Sequence, residues 1–128
     1  MGISAEEFRI LCDDDEDTTL AHQTASLEVW TEILNNYPEL ARCVAGNKNI
    51  PDDIIDLLSK SSDIDIRWKI ATKRKLNRTV FERLAIDSDA TVRHRIACNP
   101  KVPKDILQQL SKDPDPMVAS SAIRKLYT

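Results

Sequence analysis

Five consecutive acids, Asp13-Asp14-Asp15-Glu16-Asp17, form the densest charge in the sequence. Carboxylates packed this closely can hold calcium, or they can offer a phosphate-like surface to a basic partner. A calcium loop of the EF-hand type needs an internal glycine and a closing glutamate at its twelfth position. The run has no such glycine, and Thr24 stands at position twelve. Mutual repulsion predicts a solvated loop instead. Three more acids, Asp52, Asp53 and Asp56, fall on the polar face of a predicted helix. His22 and His94 are the only histidines, and no serine or cysteine is tied to either by a motif, so no catalytic pair is expected. Cys12, Cys43 and Cys98 are odd in number, far apart and without C-x-x-C spacing. They read as reduced thiols of a cytoplasmic protein rather than as a disulfide framework or a metal site. With Gly2 and Gly46 as the only glycines, neither a P-loop nor a dinucleotide fingerprint can be built. No enzyme, cofactor or metal is therefore expected.

Basic chemistry is concentrated elsewhere. Arg67, Lys69, Lys73, Arg74, Lys75 and Arg78 crowd one inter-helix turn and its flanks, a pattern that suits phosphate. The net charge of −3 hides this polarity: residues 1–39 carry −9 and residues 40–128 carry +6. The N-terminus lacks a basic region followed by an apolar run, so no secretory signal is expected. No apolar stretch approaches the ~18 residues of a membrane span.

The elements that position these side chains follow from a repeat. Val44-Ala45, Ile70-Ala71, Ile96-Ala97 and Ala122-Ile123 follow one another at steps of 26 residues. The same step links Leu40, Ile66, Val92 and Val118, and also Asp63, Asp89 and Asp115. It links Ile54, Val80 and Ile106, then Leu58, Leu84 and Leu110. Each unit predicts two short helices, the first with apolar residues at i, i+4 and i+5, the second at i, i+1 and i+4. Pro51 and Pro103 precede second helices, where a missing N–H is harmless. Asn47 and Asn99 are expected to end first helices. A degenerate earlier copy, with Trp30 and Leu34, joins the rest through a linker at 35–39. Ser4-Ala5-Glu6-Glu7 reads as a capping box in front of a short helix with Phe8 and Leu11 inside.

The register also separates core from surface. Trp30 and Phe81 fall in apolar columns and are expected in the core. Trp68 shares its column with Arg42, His94 and Ser120, which marks it as an exposed aromatic contact residue or as one lying across a neighbouring helix. Arg67 and Arg93 follow Asp63 and Asp89 by four residues, which predicts a ladder of ion pairs and helix caps.

Residues 96–118, Ile-Ala-x-Asn-Pro-x-x-Pro-x-x-Ile-Leu-x-x-Leu-x-x-Asp-Pro-Asp-x-x-Val, resemble the leucine-rich repeat variant, a HEAT-like helical repeat. The resemblance spans about residues 18–128. It is weaker in the second unit, where Asn77 and Lys73-Arg74-Lys75 replace the asparagine–proline pattern. It implies an all-α, right-handed α-solenoid of two-helix repeats with a 26-residue period. The chain is then one domain, with an N-terminal helix and acidic loop at 1–17, the degenerate repeat at 18–39, and three repeats plus a C-terminal helix at 40–128. Some members of that family hold an iron–sulfur cluster, but three scattered cysteines do not supply its ligands.

Stacked repeats offer extended binding surfaces rather than deep pockets. Size, acidic leader and atypical repeats together resemble a bacterial immunity protein of contact-dependent growth inhibition. That likeness implies a non-enzymatic inhibitor whose partner is a cognate toxin domain, a nuclease whose basic substrate cleft it occludes. The partner-binding residues would be Asp13, Asp14, Asp15, Glu16 and Asp17, then Asp52, Asp53 and Asp56, with Trp68 as the apolar anchor. The alternatives are a nucleic-acid-binding HEAT-like module using the basic set at 67–78 and a general protein-interaction adaptor. No membrane partner is expected.

Overall fold

The computed structural model describes residues 2–12 and 23–128, and among these the secondary structure is all helical. The chain forms two compact units, Met1–Leu58 and Ser59–Thr128. No described helix is long and apolar enough to cross a membrane.

The first unit holds α1 (Ala5–Cys12), α2 (Leu27–Asn36), α3 (Ala41–Ala45) and α4 (Asp52–Leu58). The predicted capping box forms: Glu7 N–H donates to Ser4 Oγ at 3.2 Å, and Ser4 N–H donates to Glu7 Oε1 at 3.4 Å. Two orphan N–H groups at the start of α1 are thereby satisfied reciprocally. Phe8 then meets Trp30 edge to face, ring centroids 5.3 Å apart, and both rings are fully buried. Trp30 is thus core, as its column predicts, and Leu11 is only half-buried. The second helix, α2, is capped by Ser26, whose Oγ accepts from Val29 N–H. It runs through Asn35 and Asn36 into the expected linker before Tyr37 N–H closes it on Ile33 O. A 3-10 turn at Pro38–Leu40 then leads into α3. This core also includes Ile33, Leu40, Val44, Ile54, Ile55 and Leu58.

The second unit holds α5 (Ile64–Ala71), α6 (Arg78–Ala85), α7 (Ala90–Ala97), α8 (Lys104–Leu110) and α9 (Pro116–Leu126). Within it α7 packs against both α5 and α9, and α6 packs against α8. Ile70, Val80, Leu84, Val92, Ile96 and Val118 are wholly removed from water, and Phe81 is buried with them. Each residue lies on the face that its apolar spacing predicts. Asp63, Asp89 and Asp115 cap α5, α7 and α9 by accepting from Asp65, Thr91 and Met117 N–H. Asn77 caps α6 through Val80 N–H, which explains how that helix starts without the proline found before α4 and α8.

Two buried asparagines do more than end helices. Each lies one residue beyond the helix cap, Asn47 after Gly46 and Asn99 after Cys98. Asn99 Nδ2 donates to Ala71 O at 2.9 Å and to Lys73 O at 2.8 Å, while its Oδ1 accepts from Lys101 N–H. In the first unit Asn47 Nδ2 donates to Gln23 O, and its Oδ1 accepts from Asn49 N–H. A buried amide with donors and acceptors both satisfied fixes one chain path over another.

Candidate functional site

The acid-rich candidates divide by position. Asp13, Asp14, Asp15, Glu16 and Asp17 lie outside the described residues, as does His22. Asp52 and Asp53 occupy the first turn of α4 and point into water. Negative charge there complements the positive end of the helix, so these acids sit without cost to the fold. Asp56, one turn on, is half-buried. Helix α4 thus buries Ile54, Ile55 and Leu58 and leaves a polar face, with Leu57 exposed beside it.

Trp68 belongs to the second unit. It is 41% exposed, and the Arg95 guanidinium carbon lies 5.5 Å from its ring centroid. The indole is therefore covered on one side by a cation from α7 and open on the other. Such a stack is worth about 0.5–1 kcal/mol at an exposed site. It also biases the ring toward the orientation it has against Arg95. Arg95 Nε is buried and has no hydrogen-bond partner among the described residues.

The basic set at 67–78 does not form one phosphate-ready patch. Arg67 turns inward: its Nε donates to Asp87 Oδ2 at 2.8 Å and its Nη2 to Oδ1 at 3.2 Å. Its Nη1 also donates to Ser61 O. The side chains of Arg67 and Asp87 are 13% and 7% exposed. Arg93 repeats this arrangement with Asp113, at 2.9 and 3.3 Å, and reaches Asp87 O through Nη1. The expected ion-pair ladder is present, but the acid gripped lies 20 residues ahead of each arginine. Asp63 and Asp89, the residues that spacing alone offered as partners, are helix caps. Arg78 sits between Asp105 and Glu82. Lys69 and Lys73 are half-buried, which leaves Arg74 and Lys75 as exposed bases of the inter-helix turn.

These surface contacts contribute to the acid response of the fold. The Arg78 hydrogen bond holds the Asp105 carboxyl below its ordinary 3.8, and the Thr91 hydroxyl does the same for Asp89. Glu6 is held below 4.5 first by its hydrogen bond to Arg9 and then by the one from Tyr37. Carboxylates with lowered folded pKa contribute stability that is complete above their ordinary values and is lost as pH falls through the folded ones. Urea unfolding followed by circular dichroism should therefore give a lower midpoint below about pH 4 than at about pH 5. An unchanged midpoint at about pH 3 would contradict this reading.

Sequence spacing missed one cluster. Among the described residues, His94, Cys98, Ser121 and Lys125 converge where α7 and α9 meet: His94 Nε2 lies 2.9 Å from Ser121 Oγ and 3.7 Å from Cys98 Sγ. The four-residue step from His94 to Cys98 was the available signal, since residues one turn apart share a helix face. The described residues contain no group of three or more His, Cys, Asp or Glu side chains able to hold a metal ion.

A scan against protein-family models gave no match, and searches of the curated proteins and of the solved structures gave none.

Proposed function

We propose that this protein is a non-enzymatic, cytoplasmic inhibitor that binds another protein, and specifically an immunity protein that neutralises a cognate bacterial toxin domain. The toxin's activity in this reading is that of a nuclease, whose basic substrate cleft the acids fill. The scaffold is a right-handed α-solenoid of two-helix repeats with a 26-residue period. The matched grips Arg67–Asp87 and Arg93–Asp113, with their arginines 26 residues apart in sequence, support that period in the second unit.

One observation carries the choice of a protein partner over nucleic acid. Of the basic set that phosphate binding would use, Arg67 is committed inside the fold and Arg78 is faced by acids, which leaves Arg74 and Lys75 exposed, whereas Asp52 and Asp53 remain open to water. Phosphate affinity scales with the cations free to release counter-ions. Arg67 and Arg78 are largely removed from that number. Trp68, with Arg95 over its ring, supplies the aromatic surface that interface hot spots favour. An adaptor without a toxin partner would use the same surfaces.

Fluorescence anisotropy tests the choice. Labelled RNA and duplex DNA of about 20 nucleotides are titrated with protein between ~50 and ~200 mM salt. We expect no complex at micromolar protein and physiological salt. A micromolar complex that weakens steeply with salt, and disappears when Lys73, Arg74 and Lys75 are replaced, would overturn the reading in favour of a nucleic-acid module.

A further inference from the structure

Cys98 caps the end of α7 and is half-buried. Its sulfur lies 3.7 Å from His94 Nε2, one turn back on the same helix. The adjacent helix α9 contributes Ser121, whose Oγ is 2.9 Å from the same ring nitrogen. It also contributes Lys125, whose ammonium donates to Asn99 O, the carbonyl of the residue after Cys98. Burial lowers the Lys125 pKa, and the nearby Cys98 sulfur works in the opposite direction. The thiol therefore has an imidazole in contact that can accept its proton and an ammonium held beside it by the next residue's carbonyl. Nothing in the proposed partner binding uses these groups.

We propose that Cys98 is a covalent modification site that takes an anionic low-molecular-weight disulfide, of the glutathione class, into a mixed disulfide. The His94 imidazole accepts the thiol proton. The Cys98 sulfur forms a bond to one sulfur of the incoming disulfide, whose own S–S bond breaks. The departing thiolate takes up the proton from His94, so one thiol and one disulfide are exchanged for another pair. Lys125 stabilises the sulfur's negative charge and attracts the carboxylates of the incoming molecule. The added group would sit at the C-terminal cap of α7, where Lys125 holds Asn99.

Per-cysteine rates of modification by glutathione disulfide, by cationic cystamine and by iodoacetamide, read by peptide mass spectrometry, test this proposal. Cys98 in the folded protein should react with iodoacetamide about tenfold faster than in the urea-unfolded chain. His94→Ala and Lys125→Met, each checked for helicity, should remove that acceleration. Lys125→Met should also abolish a preference for glutathione disulfide over cystamine, which loosened packing alone would not do. The wild-type comparison stands even if a variant unfolds. The proposal is overturned if folded Cys98 reacts no faster than unfolded Cys98, if His94→Ala leaves the rate unchanged, or if cystamine reacts as fast as glutathione disulfide.

Discussion

Asp87→Ala is expected to destabilise the protein by about 3 kcal/mol or more, among the largest effects of any single change. The carboxylate accepts two hydrogen bonds from Arg67, and its Oδ1 also accepts from Asp89 N–H at 2.9 Å. Alanine leaves the Arg67 guanidinium in its nearly closed site with Ser61 O as its remaining acceptor in that grip. A buried charge without its counter-ion costs several kcal/mol, far more than the pair itself contributes to stability. The lost bond to Asp89 N–H also loosens the turn that presents the cap of α7. Replacing both partners, as in Arg67→Met with Asp87→Leu, should recover a large part of the loss, because the uncompensated charge is gone. Exposed Arg78→Ala, by contrast, should change stability by less than about 1 kcal/mol. Urea unfolding of the four proteins measures these differences. A cost below about 1 kcal/mol for Asp87→Ala would mean that the grip does not hold the second unit together.

The helices were legible in the sequence because their determinants are local. Apolar spacing placed Ile66, Ile70, Val92 and Ile96 inside, and short polar residues marked the caps at Ser4, Asp63, Asp89 and Asp115. The partner of Arg67 was not legible in the same way. Intra-helix spacing offered Asp63, one turn back, but that carboxylate is used by the helix's own N–H groups. The free choice was then Asp87, which the turn after α6 brings to the guanidinium. A further column, Ser61, Asp87 and Asp113, held this information: each member supplies the side-chain oxygen for an N–H two residues on. Basic residues also looked more available in sequence than they are in space, because counting charge does not reveal that Arg67 points inward. The column of Trp68 marks it either as an exposed contact residue or as one lying across a neighbouring helix; the ring is 41% exposed with Arg95 of α7 over it, a contact that comes from the next repeat's register and needs the packing of α5 against α7.

The second large effect concerns binding. Charge reversal at Asp52→Lys and Asp53→Lys should weaken the partner complex by about a hundredfold, most of it through slower association. Both residues are exposed in the first turn of α4, so the substitutions remove steering charge without opening a buried site. Their unfavourable interaction with the helix N-terminus should cost under about 1 kcal/mol each, a stability loss too small to mimic failed binding. Close charge pairs across an interface are coupled by ~1.5–7 kcal/mol, so two reversals suffice for an effect of this size. Salt should reduce the difference between wild type and variant, because steering is screened beyond about 10 Å at 0.1 M.

The proposed immunity role requires a toxin domain encoded by a neighbouring gene, and the decisive measurement is calorimetric titration of this protein with that domain, paired with an assay of the domain's nuclease activity. The account predicts a tight complex of one copy of each that abolishes nuclease activity, and loss of both on reversing Asp52 and Asp53. An absence of binding, or a tight complex indifferent to those reversals and leaving the nuclease active, would contradict it.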